Sequence, residues 1–95
     1  MARLFEIKDK AGKIIYLSDE RWKHIAARHP EVASTYEIQE TVSGPLIIKQ
    51  DKFDALLMYY YRFNNVKKRY LMVAVKYLNG EGFVLTSIYT KNIRK

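Results

Sequence analysis

Three runs dominate the second half of this chain and restrict what it can fold into: ALLMYYYRF (55–63), RYLMVAVKY (69–77) and FVLTSIYT (83–90). Each is rich in β-branched, aromatic and long apolar residues, the composition of strands. Only NNVKK and LNGEG separate them, connections short enough to force each run to turn back on the one before. LIIK (46–49), followed by the polar connection QDKFD, adds a fourth short strand. A consecutive antiparallel sheet of this kind exposes an apolar face that the rest of the chain must cover.

The first half supplies that cover. LFEIK (4–8) alternates Phe5 and Ile7 against Glu6 and Lys8, DKAGK turns the chain, and IIYL (14–17) completes a hairpin. Ser18 before Asp19 and Glu20 marks a helix start, with a capping hydroxyl and then acids at the positive end of the macrodipole. The spacing predicts a helix over Asp19–Arg28, because Pro30 disfavours helical geometry at His29. Pro30 also suits the first turn of a second helix, in which Val32, Tyr36, Ile38 and Val42 form an inner stripe and Gly44-Pro45 is the stop. The expected fold is α+β, one domain over residues 1–95, in the order ββααββββ. In it an N-terminal hairpin and two helices pack on a mainly antiparallel four-stranded sheet. There is no repeat, low-complexity tract or linker.

The charge is unevenly spread. Residues 1–54 hold nine Lys/Arg and nine Asp/Glu, whereas residues 55–95 hold eight Lys/Arg and a single acid, Glu81, so the net +7 belongs to the C-terminal part. That asymmetry points to a polyanionic partner such as a nucleic acid, unless the lysines serve solubility alone. The absence of cysteine excludes a disulfide framework, a thiolate metal site and a cysteine nucleophile. Two histidines would need carboxylate help to hold zinc, and no metal or cofactor motif is present. No apolar run nears the roughly 20 residues of a membrane span, and MARLFEIKDK has no signal-peptide core, so a cytoplasmic location without membrane contact is expected.

Both histidines lie in WKHIAARHPE (22–31). On a helix Trp22, Ile25, Ala26 and His29 share one side, while Arg21, His24 and Arg28 share the other, with His24 and Arg28 one turn apart. His29 at the helix end suits a structural role. His24 beside two cations is either a solvated helix residue or a general base. In RYLMVAVKY, Leu71, Val73, Val75 and Tyr77 alternate with Tyr70, Met72, Ala74 and Lys76. In FVLTSIYT, strict alternation places Val84, Thr86, Ile88 and Thr90 on one face and Phe83, Leu85, Ser87 and Tyr89 on the other. The hydroxyls of Thr86 and Ser87 interrupt an apolar strand and could bind phosphate. MYYYRF with Lys67, Lys68 and Arg69 mixes aromatics with cations, as base-stacking surfaces do, although alternation must also bury part of it.

LSDERWKHIAARHPEV, IQETVSGP and YLMVAVKYLNGEGFVLTSIYTKNI together resemble the small phage-type nuclease family of the barnase–EndoU–colicin–RelE superfamily, over residues 14–95. The resemblance implies two N-terminal helices on a four-stranded antiparallel sheet and a metal-independent endoribonuclease, in some members a toxin. It places the helix histidine and arginine on His24 and Arg28, with His29 adjoining. The last-strand Thr-Ala-Tyr falls on Thr86-Ser87-Ile88, so isoleucine holds the tyrosine position and Tyr89 follows it. With RNA's own 2′-OH as nucleophile, His24 would be the acid/base with His29 behind it. Arg28 and Thr86 would hold the phosphate, and Lys76 with Arg62, Lys67, Lys68, Arg69 and Tyr89 would bind the RNA. The expected partners are RNA and a cognate antitoxin protein. A non-catalytic nucleic-acid-binding module and a protein-interaction partner are the alternatives.

Overall fold

The computed structural model describes residues 2–93; Met1, Arg94 and Lys95, at the ends of the expected domain, lie outside the described residues. The elements are β1 (Arg3–Lys8), β2 (Ile14–Ser18), α1 (Asp19–Arg28), α2 (Thr35–Ser43), β3 (Ile47–Gln50), β4 (Leu57–Asn64), β5 (Arg69–Leu78) and β6 (Glu81–Thr90). The expected order ββααββββ is the observed one.

The sheet is larger than expected. β3, β4, β5 and β6 form the antiparallel meander. The N-terminal hairpin then joins the same sheet, because β2 pairs parallel with β6 through Ile15 opposite Gly82 and Tyr16 opposite Phe83. The result is a six-stranded mixed sheet in the order β1-β2-β6-β5-β4-β3, not four strands with a separate hairpin. The periodicity of IIYL shows a strand but not its neighbour, and a parallel partner reached through two helices leaves no local turn signal. Ile15 and Leu17 are fully buried in this interior position.

α1 begins and ends where the residue chemistry requires. The Ser18 hydroxyl accepts the Arg21 amide at 3.1 Å, and the His29 amide closes the last turn on the Ile25 carbonyl before Pro30. α2 starts later than Pro30 invited: residues 30–32 form a turn, and the helix opens after Ser34, where the Glu37 carboxylate accepts the Ala33 and Ser34 amides. Tyr36 is not on the inner stripe: it lies about 200° around the helix from Ile38 and is 65% exposed, while Val32, Ile38 and Val42 are in the core as expected.

One irregularity sets which side chains face the helices. Between β5 and β6 the register steps from Ala74 opposite Thr86 to Val75 opposite Val84, so Leu85 is an extra, bulged residue. Strict alternation therefore fails in β6. Val84 shares the helix-side face with Ser87 and Tyr89, whereas Thr86, Ile88 and Thr90 join Phe83 on the open face. Ser87, one of the two β6 hydroxyls that the sequence offers for phosphate binding, is fully buried and donates that hydroxyl to the Met72 carbonyl at 2.9 Å. The core lies between the helices and the face carrying Leu71, Val73, Val75 and Val84. Each of these valines contributes roughly 1.5–3 kcal/mol through burial.

Candidate functional site: a tyrosine–carboxylate pocket under the helix layer

Tyr89 pairs with Leu71 and, because of the bulge, points under the helices. Its hydroxyl donates to the Glu37 carboxylate at the start of α2 and accepts the Asn64 side-chain amide at 3.1 Å. The Lys67 ammonium lies 5.1 Å from the centre of its ring, a cation–π contact. Glu31 stands 3.8 Å from His29 Nδ1 and is near enough to Tyr89 to act on it electrostatically. Burial first, and the Glu37 carboxylate second, push the Tyr89 phenol up to about 12, so it stays protonated at neutral pH.

Tyr89, Glu37 and Asn64 line a polar cleft of about 140 Å³ together with Glu40, Thr41, Arg62, Phe63 and Leu71. Arg62 stands at its edge and donates to the Gly44 carbonyl at 2.9 Å, satisfying the free C-terminal end of α2. Gly44 lets the guanidinium approach, since a Cβ there would fall 3.0 Å from Arg62 Nη1. The β4–β5 turn is held by the Asn64 side-chain oxygen, which accepts the Val66 and Lys67 amides at 2.9 Å. Asn64 thus shapes the turn with one end of its amide and holds Tyr89 with the other.

The residues singled out in the sequence separate into three groups. Tyr89 and Arg62 line this pocket, Lys67 lies over the Tyr89 ring, and His29 connects to it only through Glu31, which acts on Tyr89 electrostatically. His24 and Arg28 are exposed on the outer side of α1, as the helix geometry predicts, while Lys68 ends the turn after Lys67 and Arg69 opens β5. Thr86 and Lys76 lie on the open face, on the other side of the sheet from both helices, so Thr86 does not share a surface with His24 and Arg28. Lys76 is engaged in an ion pair with Asp54 and is not a free cation. Lys68 adopts φ 55°, the left-handed residue of the turn.

Glu31, Glu37 and Asn64 were not foreseen as part of a site. The only sequence signal for Glu37 is its position three residues after Ser34, which reads as helix capping. Among the described residues no group of three or more His, Asp or Glu is arranged to hold a metal ion, and no helix is long and apolar enough to cross a membrane. No family model, curated protein or solved structure matches this chain.

Proposed function

We propose that this protein is an endoribonuclease that cleaves RNA by attack of the 2′-OH on the adjacent phosphate, with its reaction centre at the Tyr89 pocket. The observation that carries the reading is the Tyr89–Glu37 pair beside the cations Arg62 and Lys67, with Glu31, the partner of His29, close enough to act on Tyr89 electrostatically. The resemblance to the phage-type nuclease family implies the same reaction and supports it.

RNA brings its own nucleophile, so the protein needs only a proton acceptor, a proton donor and cations for the developing phosphorane charge. In this proposal His29, steadied by Glu31, takes the 2′-OH proton as the O2′–P bond forms. Tyr89 gives its proton to the departing 5′-oxygen as the P–O5′ bond breaks. The products are a 2′,3′-cyclic phosphate and a free 5′-hydroxyl. Arg62 and Lys67 neutralise the phosphate, and Arg28, Lys68 and Arg69 extend the cationic surface along the backbone. His24 is the competing base, favoured by the resemblance rather than by the convergence of side chains.

The experiment is cleavage of a labelled single-stranded RNA, beside DNA of the same sequence, by the full-length chain and its variants. Loss of about 10²-fold or more is expected for His29→Ala and for Tyr89→Phe, with DNA uncut. If His24→Ala loses activity while His29→Ala keeps it, the centre belongs on the outer face of α1. If the wild-type protein leaves RNA intact, the reading fails.

A second reading is favoured by one observation: Glu37 already accepts two backbone amides and the Tyr89 hydroxyl, which suits a structural carboxylate. That reading is a nucleic-acid-binding module. Its signature is RNA binding that weakens steeply with salt and no cleavage.

A further inference from the structure

A second cavity opens at the other end of the helix side, near Tyr77. Along β5, Tyr77 is six residues from Leu71, the partner of Tyr89, or about 20 Å of strand. The cavity measures about 340 Å³, within the range of small-molecule sites. Val42 from α2, Pro45 just after it, Ile48 from β3 and Met58 from β4 form its apolar walls; Tyr60 and Tyr77 line its polar end, and Asp9, Lys10 and Lys13 of the β1–β2 turn line it too.

That polar end is a chain of hydrogen bonds with one direction. The Tyr77 hydroxyl donates to Asp9 Oδ2 at 3.0 Å and lies 2.5 Å from the Tyr60 hydroxyl. Asp9 is held in turn by the Ala11 and Lys13 amides on its other oxygen, both at 2.9 Å. Because Tyr77 has one proton and gives it to Asp9, Tyr60 must donate to Tyr77. Burial raises both phenols, so neither loses its proton near neutrality. The Tyr60 oxygen is left with lone pairs only, and a chain ending on a carboxylate strengthens it as an acceptor. Gly82 gives Tyr77 its place, since a Cβ there would fall 2.8 Å from Val75 Cγ1 and 2.9 Å from Tyr77 Cε1.

We propose that this cavity binds a small aromatic molecule carrying one hydrogen-bond donor, a phenol or an indole, with its O–H or N–H on the Tyr60 oxygen. The walls fit a flat ring: the Pro45 ring and the Met58 thioether are both good partners for an aromatic surface. The directed Tyr60–Tyr77–Asp9 chain presents an acceptor to the ligand's O–H or N–H at the Tyr60 oxygen. This site is separate from the Tyr89 pocket and does not depend on the endoribonuclease reading.

The test is titration of the full-length chain with p-cresol and with 4-methylanisole, which has the same ring but no donor, followed by NMR of the methionine and isoleucine methyls. Saturable shifts of Met58 and Ile48 are expected with p-cresol, and about tenfold weaker binding with 4-methylanisole, the effect of one lost hydrogen bond. Tyr60→Phe should erase the difference between the two ligands. Should Tyr60→Phe not fold, Ile48→Arg at the rim, where Ile48 is 37% exposed, should abolish p-cresol binding in a folded protein. The absence of saturable shifts, equal binding of the two ligands by the wild type, or shifts centred on Met72 and Ile88 of the open face would each overturn the proposal.

Discussion

Tyr89, near the end of the last strand, donates its hydroxyl proton to Glu37 in the first turn of α2, and the same carboxylate accepts the Ala33 and Ser34 amides at 3.1 Å. One side chain therefore starts the helix and fastens it to the sheet.

Removing the two partners should have unequal effects. Tyr89→Phe keeps the ring beneath Lys67 and loses only the hydroxyl, a cost of about 1–2 kcal/mol. Glu37→Ala also frees two amides at the helix start, so about 2–3 kcal/mol is expected. Urea unfolding of the two variants checks the order. A Tyr89→Phe protein less stable than Glu37→Ala would show that the strand does not depend on the helix cap in this way.

Alkaline titration should separate the tyrosines. The chain has eight, and an ordinary phenol ionises near pH 10, whereas Tyr89 is pushed up to about 12 and Tyr60 and Tyr77 are also raised. A phenol whose folded pKa exceeds its unfolded value stabilises the fold below pH 10, and that contribution is lost as pH rises from 10 towards 12. Phenolate absorbance should therefore rise in two stages, the later one accompanied by unfolding. Tyr89→Phe should shrink the later stage. A single transition near pH 10 in the folded protein would contradict the burial of these hydroxyls.

The sequence made the element order and the first helix readable because those depend on local chemistry. Ser18, Asp19 and Pro30 bound α1 through its own caps, and NNVKK and LNGEG turn the meander through backbone signals, including Asn79 and Gly80 at positive φ. What could not be read depends on distant partners. IIYL carries no mark of its parallel pairing with β6. Leu85 looks like any strand residue, yet as a bulge it moves Thr86 and Ile88 to the open face and Tyr89 beneath the helices. The candidate site was legible in Tyr89, His29 and the cations Arg62 and Lys67, but not in Glu31, Glu37 and Asn64, which acquire their roles through contacts made after folding.

The Gly82 position offers a direct test of how β6 makes room for Tyr77. Gly82→Ala puts a methyl group against Val75 and the Tyr77 ring at distances real side chains do not keep. The strand and ring must separate, at a cost of about 1–3 kcal/mol for overpacking. Thermal unfolding should show the loss, and Tyr77→Ala in the same background should relieve part of it. An unchanged melting temperature in Gly82→Ala would mean that the ring has room to move aside.

Acid should loosen the open-face loop before the sheet. Asp51 accepts the Tyr59 hydroxyl at 2.6 Å and the Phe53 and Asp54 amides at 3.0 Å, while Asp54 pairs with Lys76 and accepts the Leu56 amide. The Tyr59 hydroxyl and the loop amides hold Asp51 below its ordinary value of 3.8, and Lys76 does the same for Asp54. A carboxyl lowered in this way stabilises the fold above its unfolded pKa, and the contribution disappears as pH falls through the folded value. The loop should therefore stay closed at pH 5, begin to loosen only below pH 3.8 and open as pH falls through the lowered values, with the sheet intact because no carboxylate is among the buried core residues described. Amide shifts of Phe53, Asp54 and Leu56 followed by NMR from neutral pH into acid would show this as a transition preceding that of Val73 and Val75. Asp51→Asn should open the same loop at neutral pH, since the amide cannot offer Tyr59 and the backbone an anionic acceptor. Loop and core amides moving together at every pH would show that the carboxylates do not hold the loop independently.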